Sequence, residues 1–244
     1  MRFTTSSILY RIPVELEPRQ RLLLEGIRYS VNMLFISWGQ LKDVLQQISY
    51  KKEFDSEKYQ AFMSAWTVVD CLDRIKSLFS KLSSVGFENL YDSVADLRAM
   101  RNTYHHIYDR VDTSIELNYP LLGVLSWSCK SYGEQNFLHL NMIAAGAQLD
   151  IREYEFINPA GQVVDIPIGM VTLRSVIREK RGGALVTTKA AIDLSLIMHE
   201  LDIALDNFEK LLSSQFSHHS LSGNFVTQDI LVGCEFHPPE GTKL

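Results

Sequence analysis

The chain has 244 residues, of which 46% are hydrophobic and 22% charged, as is ordinary for a globular protein with a substantial core. Its formal net charge of −5 and pI near 5.8 argue against a protein that coats nucleic acid non-specifically, because such binding depends on neutralising many phosphates. Three separated cysteines, Cys71, Cys129 and Cys234, form neither a disulfide framework nor a CxxC pair, so a reduced compartment is expected.

The sequence shows no sign of membrane insertion or secretion. No apolar stretch approaches the roughly 20 residues that span a bilayer. Residues 1–7 lack the continuous apolar segment of a signal peptide. We therefore expect a cytoplasmic protein that makes no membrane contact.

Three long helices are predicted in the first half of the chain. Pro18, a residue typical of a first helical turn, opens a pattern of apolar residues every three or four positions that predicts a helix over about 17–48. A polar break separates it from a second pattern over 55–82, and a third follows over 88–111. Three long helices joined by short turns favour an antiparallel bundle.

The pattern changes after Pro120. Four short runs rich in β-branched and aromatic residues are predicted to form strands, over 121–128, 137–143, 151–157 and 163–168. Asn158-Pro159-Ala160-Gly161 is typical of a hairpin turn between the last two runs. Beyond Arg181-Gly182-Gly183, an apolar stripe from Ala191 to Leu212 predicts a final long helix.

The sequence therefore predicts an α+β, mainly α fold: an antiparallel helical bundle with a small antiparallel sheet inserted before the last long helix. A single domain is expected over 1–213, with the β insertion at about 120–170. An irregular tail is expected over 214–244, either folded against a partner or loose.

The most informative run is Arg101-Asn102-Thr103-Tyr104-His105-His106-Ile107-Tyr108, which reads Arg-Asn-x3-His-x-Tyr. A cation, an amide and an imidazole this close on a helix can bind a phosphate and transfer a proton. Chance alone supplies about 0.4 occurrences of Arg-x4-His in a chain of this composition. The added Asn and Tyr reduce that expectation to on the order of one in a thousand.

A helical projection of the third helix, at 100° per residue from Leu97, separates two faces. Tyr104, Tyr108 and Val111 fall on the buried side. The opposite face collects five polar residues, Arg98, Asn102, His105, His106 and Asp109. Such a face is either merely solvated, as most outer faces are, or it meets a ligand or a second subunit.

Arg101 lies at the edge of these two faces. In an ideal helix it faces His105 better than His106, so a site that uses Arg101 and His106 needs a distorted helix or two apposed copies of it. Asp70 and Asp73 of the second helix could pair with Arg101 or Arg74, and we interpret them as members of a structural ion pair.

Positive charge is concentrated in two segments, as an RNA site would require. One segment carries Arg98, Arg101 and Arg110, and the other carries Arg174, Arg178, Lys180 and Arg181. The second group is equally well interpreted as a solvated helix end.

Other catalytic signatures are absent from the sequence, including GxxxxGK[ST], GxSxG and HExxH. Cys234-Glu235-Phe236-His237 and His218-His219 could bind a metal, but too few closely spaced ligands accompany them. Neither a metal nor a cofactor is therefore expected.

Arg101-Asn102-x3-His106 resembles the Arg-(polar)-x3-His signature of the HEPN superfamily (higher eukaryotes and prokaryotes nucleotide-binding). His106-Ile107-Tyr108 extends the resemblance to HEPN toxins that are paired with a minimal nucleotidyltransferase. The resemblance covers the helical half of the chain. The chain is longer than those compact toxins, and the predicted sheet has no counterpart in a minimal HEPN bundle.

The resemblance implies RNA cleavage without metal, at a site where two protomers meet. Arg101 would hold the scissile phosphate, His106 would transfer a proton or orient the ribose, and Asn102 would support the pair. Tyr108 matches the tyrosine that the partner nucleotidyltransferase modifies with AMP.

These observations predict a homodimeric, metal-independent endoribonuclease in a toxin-antitoxin, stress or defence setting, with RNA as substrate and a nucleotidyltransferase antitoxin as a further candidate partner. Arg98 and His105 are the expected substrate-binding residues. The alternative is a non-catalytic HEPN-like module that binds a nucleotide, an RNA or a protein partner. A purely structural bundle remains if the motif is coincidental.

Overall fold

A computed structural model describes residues 2–50, 55–82, 96–132, 137–145, 162–165, 170–182, 184–217, 225, 226 and 229. The helices are α1 (Pro18–Tyr50), α2 (Asp55–Phe79), α3 (Leu97–His105), α4 (Val111–Glu116) and α5 (Leu194–Phe216). The strands are β1 (Val124–Tyr132), β2 (Phe137–Ala144), β3 (Gln162–Asp165), β4 (Thr172–Arg181) and β5 (Ala184–Asp193). The predicted class is confirmed at this level, since the fold is α+β and mainly helical with a small antiparallel sheet before the last helix.

The two long N-terminal helices form where their apolar stripes predict them. α1 begins at Pro18, whose fixed φ suits a first helical turn, and α2 begins at Asp55, whose carboxylate suits the positive end of the helix dipole. The stripe residues are buried, among them Leu24, Ile27, Val31, Leu34, Leu41 and Leu45 of α1 and Phe62, Ala65, Trp66, Val69, Leu72 and Ile75 of α2. These faces pack against each other, so both helices and their packing contact are confirmed.

The third helix is shorter than predicted. α3 ends at His105, because His106 has non-helical dihedral angles (φ −118°, ψ 44°), and a 3-10 turn over Ile107–Arg110 leads into α4. The eight residues of 102–109 are all of types with weaker helix propensity than Ala, Leu, Lys or Glu, which favours a break here. The predicted start of this helix, over 88–95, lies outside the described residues.

The sheet is built around β1. β2 pairs antiparallel with β1 from Val124 to Ser131. On its other edge β1 pairs with β4 near its start and with β3 near its end, and β5 extends the sheet beyond β4. The predicted runs 121–128, 137–143 and 163–168 overlap β1, β2 and β3. The run 151–157 and the turn 158–161 lie outside the described residues.

The segment before the last helix was predicted wrongly. It forms the hairpin of β4 and β5, so the sheet extends to Asp193, past the predicted limit near residue 170. The basic group of Arg174, Arg178, Lys180 and Arg181 therefore lies on a strand and not on a helix end. Gly182 has a φ of +58° in the two-residue turn, a conformation that glycine adopts without strain.

The final helix starts at Leu194, so Ala191 belongs to β5 and not to the helical stripe. The Asp193 carboxylate caps the helix by accepting a hydrogen bond from the Leu196 N–H at 2.9 Å. The rest of the predicted stripe is buried as expected, namely Leu194, Ile197, Met198, Leu201, Leu205, Phe208 and Leu212.

Helices and sheet share one hydrophobic core. The indole N–H of Trp127 on β1 donates a hydrogen bond to Ser49 Oγ of α1 at 2.9 Å. Thr103 Oγ1 of α3 donates to the Val176 carbonyl of β4 at 2.8 Å, and Thr103 is buried. The first contact joins α1 to the sheet, and the second fixes α3, which carries Arg101, against it.

Part of the C-terminal tail packs against its own chain. The Val226 N–H donates to the Ile12 carbonyl at 2.9 Å. The Asp229 carboxylate accepts two hydrogen bonds from Arg28 of α1, at 2.8 and 2.9 Å. Arg28 is buried, and its guanidinium lies 4.2 Å from the centre of the Tyr10 ring. These tail residues therefore join the N-terminal part of the molecule.

Candidate active site around Asp70

Four basic side chains approach two aspartates on α2. Asp70 and Asp73 lie one helical turn apart, so their carboxylates share a face of the helix. The basic residues are Arg74 on the same helix and Arg98, Arg101 and His105 on α3. These six residues form the Asp70 cluster. The predicted pairing of the aspartates with Arg74 and Arg101 is confirmed.

Asp70 is the centre of the cluster. Its Oδ1 lies 3.2 Å from Arg101 Nε and 3.2 Å from His105 Nε2, and its Oδ2 lies 2.5 Å from Arg74 Nη2. Partial burial acts to raise the pKa of Asp70, but the hydrogen bonds from His105 and Arg101 and the positive charge of Arg74 hold it below its usual value. Asp70 is therefore ionised at neutral pH.

Asp73 adds a second negative charge at longer range. Its carboxylate lies 3.8 Å from Arg98 Nε and 4.0 Å from Arg101 Nε, distances of ion pairs rather than hydrogen bonds. The Asp73 side chain is only 11% exposed, so solvent screens this interaction less than it would at the open surface. Arg101 is thus held between two carboxylates.

The Arg101 guanidinium keeps one edge available. Nε donates a hydrogen bond to Asp70 Oδ1, and Nη1 donates to Asn102 Oδ1 at 3.5 Å. Nη2 makes no hydrogen bond to any part of the chain that the structure describes, and 39% of the side chain is exposed. The structure thus places Asn102 beside Arg101 and leaves room for an anionic ligand at the outer edge.

The two histidines have different surroundings. His105 meets Arg101 through their shared contact with Asp70, as the ideal-helix argument predicts. His106 is exposed at the end of α3, and no hydrogen bond joins it to Arg101. A carboxylate in contact with an imidazole nitrogen fixes the orientation of the ring, so Asp70 orients His105, and His106 does not share this contact.

The prediction that Tyr104, Tyr108 and Val111 face the core is wrong. These side chains are 37%, 72% and 43% exposed. Tyr104 instead stacks on Trp66 of α2, with ring centres 5.0 Å apart and planes at 9°, so that one ring face is covered. Tyr108 and Val111 lie beyond the break at His106, where the projection of a continuous helix no longer applies.

Arg110 is buried, which its position in the sequence did not predict. It belongs to the basic segment that also carries Arg98 and Arg101, but only 7% of the residue is exposed. Burial lowers the pKa of Arg110, the charge of Arg178 lowers it further, and Asp109 acts in the opposite direction. The burial of Arg110 depends on elements distant in the chain, so its spacing to Arg101 did not predict it.

Among the described residues, neither metal-binding side chains nor the Cys71 thiol adds chemistry to the Asp70 cluster. Within the ranges that the structure describes, no three His, Cys, Asp or Glu side chains come together as a metal site. The His218-His219 and Cys234 to His237 runs lie outside those ranges. Burial raises the pKa of the Cys71 thiol to about 11, so it is no nucleophile at neutral pH. Among the described helices, none is long and apolar enough to cross a membrane.

The fold and the Asp70 cluster define a mainly helical α+β protein with a partly exposed arginine and histidine held on one carboxylate. No family model matches the chain, and neither the curated proteins nor the solved structures gave a match. The resemblance to the HEPN superfamily rests on residues 101–108 and on their position in a mainly helical fold.

Proposed function

We propose that the protein is a metal-independent endoribonuclease of HEPN type, acting in a toxin-antitoxin, stress or defence setting. The observation that carries this proposal is the fixed position of the Arg101 guanidinium, held at Nε by Asp70 and at Nη1 by Asn102, with its outer edge left for a phosphate. A positioned guanidinium stabilises the charge that develops on phosphorus oxygens during RNA cleavage.

The nucleophile in the proposed reaction is the ribose 2′-OH of the substrate. It attacks the adjacent phosphorus, the bond to the 5′-oxygen breaks, and the products end in a 2′,3′-cyclic phosphate and a 5′-hydroxyl. His106 takes the 2′-OH proton or protonates the leaving oxygen, since an imidazole nitrogen can accept or donate a proton. Arg98 and His105 contact the flanking RNA.

The exposure of His106 favours a site made by two copies. Within one chain Arg101 and His106 share no hydrogen bond, and His106 lies open to solvent at the end of α3. A two-fold dimer through this segment would bring the His106 of a second copy to Arg101. Tyr108 is 72% exposed, as an acceptor of AMP from a nucleotidyltransferase antitoxin must be.

A specific observation favours the alternative of a non-catalytic HEPN-like module. Asp70 and Asp73 already offset the positive charge of Arg101, which weakens its attraction for a phosphate. Such a module would bind a nucleotide, an RNA or a protein partner at the same surface without cleaving RNA.

The deciding experiment is an RNA cleavage assay in EDTA. We expect wild-type protein to produce 2′,3′-cyclic phosphate ends, and Arg101→Ala and His106→Ala each to abolish cleavage. Arg74→Ala is the matched control, because it removes another cation from Asp70 while leaving the motif intact. Arg74→Ala should retain cleavage. Its free energy of unfolding should fall by about 0.5 to 1 kcal/mol, as that of Arg101→Ala should.

His105→Ala separates two versions of the site. If His105→Ala abolishes cleavage and His106→Ala does not, the imidazole held by Asp70 is the proton-transfer group and the family-based assignment is wrong. If wild-type protein leaves every RNA intact, or cleaves only with added divalent metal, the nuclease proposal fails and the binding module replaces it.

A further inference from the structure

Two arginines lie near each other, Arg110 in the segment after α3 and Arg178 on β4. Arg110 is 93% buried, being 7% exposed, and its Nε atom makes no hydrogen bond within the described part of the chain. Arg178 on β4 donates from Nη2 to Thr113 Oγ1 at 3.1 Å. Thr113 is buried and follows Arg110 by three residues, so the two lie on neighbouring positions of the helical surface. Neither arginine forms an ion pair with any residue that the structure describes.

The burial of the Arg110 charge near Arg178 is electrostatically unfavourable. A buried charge is normally paired or fully hydrogen-bonded, because removal from water is costly. Burial is the main reason that the pKa of Arg110 is lowered, and the nearby charge of Arg178 is the second. Asp109 offsets part of this effect without bonding to the guanidinium. An anion between the two arginines would relieve both the repulsion and the unsatisfied Nε–H.

The surrounding sheet adds positive charge. Arg174 pairs with Ala191, Val176 with Lys189 and Arg178 with Thr187 across the β4–β5 hairpin, which places Arg174, Arg178 and Lys189 on one face. Arg174 Nη1 donates to Ser126 Oγ at 2.6 Å, and Lys189 Nζ lies 5.1 Å from the centre of the Tyr119 ring. Both side chains are therefore positioned by neutral groups, so that their charges are not offset there.

We propose that Arg110 and Arg178 form a binding site for a phosphate group, carried either by a small phosphate ligand or by an RNA backbone. A planar guanidinium presents several N–H donors in a fixed geometry that matches phosphate oxygens. The hydroxyl proton of Thr113 is available as a further donor, since its Oγ1 already accepts from Arg178. This site differs from the Asp70 cluster, where carboxylates already accompany the cations, and the inference stands whether or not the protein cleaves RNA.

Calorimetric titration with inorganic phosphate tests the site directly. We expect saturable binding by wild-type protein, and binding weakened about tenfold or more in Arg178→Gln, because a charge-assisted hydrogen bond is lost. The matched control is Arg19→Gln, which makes the same charge change at an exposed position of α1. It should bind phosphate as the wild type does. Absence of binding by the wild type, or equal binding by Arg178→Gln, overturns the proposal.

A second measurement does not depend on any variant folding. In the wild-type protein, the NMR signal of the Arg110 Nε–H should shift on addition of phosphate and stay in place on addition of the same concentration of chloride. An Nε–H signal that phosphate leaves unmoved counts against the site. Phosphate binding that is lost in Arg101→Ala and kept in Arg178→Gln would assign the anion to the Asp70 cluster and also overturn the proposal.

The source of the phosphate is distinguished with a 2′-O-methylated RNA, which cannot be cleaved by its own 2′-OH. If Arg178→Gln weakens the binding of both this RNA and inorganic phosphate, the site holds a nucleic acid backbone. If it weakens only the binding of inorganic phosphate, the site holds a small phosphate ligand. A wild-type protein that binds phosphate and cleaves no RNA refutes the nuclease proposal and leaves this site intact.

Discussion

The Oδ1 atom of Asp70 lies 3.2 Å from the Nε atom of Arg101, and this contact joins α2 to the segment that carries the Arg-Asn-x3-His-x-Tyr run. The same oxygen lies 3.2 Å from His105 Nε2. One carboxylate thus sets the position of both a cation and an imidazole. The stability of the site and its chemistry should therefore respond together when that carboxylate is neutralised.

Neutralising Asp70 should destabilise the protein. We expect Asp70→Asn to lower the free energy of unfolding by about 1 kcal/mol, because two arginines and His105 lose a partly buried carboxylate partner. Asp55→Asn is the matched control, since the Asp55–Lys58 pair on the same helix is exposed. It should change stability by less than about 0.5 kcal/mol. Urea unfolding followed by circular dichroism measures both, and equal losses would show that the Asp70 cluster adds no stability of its own.

The contact between Asp229 and Arg28 should contribute to acid sensitivity. Hydrogen bonds from Arg28 and Tyr29 lower the pKa of Asp229 from 3.8 to about 2. A lowered folded-state pKa stabilises the protein above the unfolded value, and that contribution is lost as the pH falls from about 4 to 2. Because the Asp229 side chain is 38% exposed, we expect Asp229→Asn to cost at most about 1 kcal/mol at pH 7.

The measurement for Asp229 is urea unfolding at pH 7 and at about pH 2, which is close to its folded-state pKa. The stability difference between the wild type and Asp229→Asn should be present at pH 7 and should shrink at the lower pH. Asp43→Asn is the control, because it removes an exposed carboxylate of α1 outside this pair. A difference that is the same at both pH values would contradict the role of the carboxylate charge.

The stacking of Tyr104 on Trp66 should hold α3 against α2. Loss of a stacked aromatic ring typically costs about 1 kcal/mol in addition to lost burial, so we expect Tyr104→Ala to destabilise the protein by about 1 to 2 kcal/mol. Tyr59→Ala, at a 70% exposed position of α2, is the control and should have little effect. The near-ultraviolet circular dichroism of Trp66 should change only in Tyr104→Ala. Equal stability of the two variants would show that the stack is energetically neutral.

A dimer through the motif segment follows from the proposed function. Exposed apolar side chains lie close in sequence to the motif, with Tyr108 72% and Ile115 60% exposed. We expect light scattering to show a dimer at micromolar concentration, and Ile115→Glu to shift it toward monomer, since a buried unpaired charge opposes association. Leu140→Glu, at a 75% exposed position of β2, should leave the dimer unchanged. A wild-type protein that stays monomeric would exclude the two-copy site.

The helices that were predicted well have long apolar stripes. In α1, α2 and α5, buried residues recur at three- and four-residue steps over many turns, which leaves little choice of structure. The β4–β5 hairpin was missed because Ala191 continues the spacing of Leu194 and Ile197 backwards into a strand. Gly182-Gly183 between two runs with β-branched residues is a hairpin signal that could have corrected this.

The motif itself was visible in the sequence, and Asp70 and Asp73 could be named from the sequence as possible ion-pair partners of Arg101. Arg101, Asn102 and the two histidines are adjacent in the chain, so their proximity follows from local geometry alone. The sequence did not determine which side chains of the motif contact Asp70. Asp70 is 31 positions away from Arg101 and reaches it only because α2 packs beside α3. That packing decides that Asp70 contacts His105.

The sequence by itself determined the helical class, the apolar faces of the long helices and the placement of an arginine, an amide and two imidazoles in one short run. Only the tertiary structure decided which charges are offset and which are buried. Arg101 and Arg110 belong to the same basic segment, yet one meets two carboxylates and the other is buried near Arg178 of β4. The physical reason is that burial and electrostatic pairing depend on elements distant in the chain, whereas periodicity and spacing report only on neighbours.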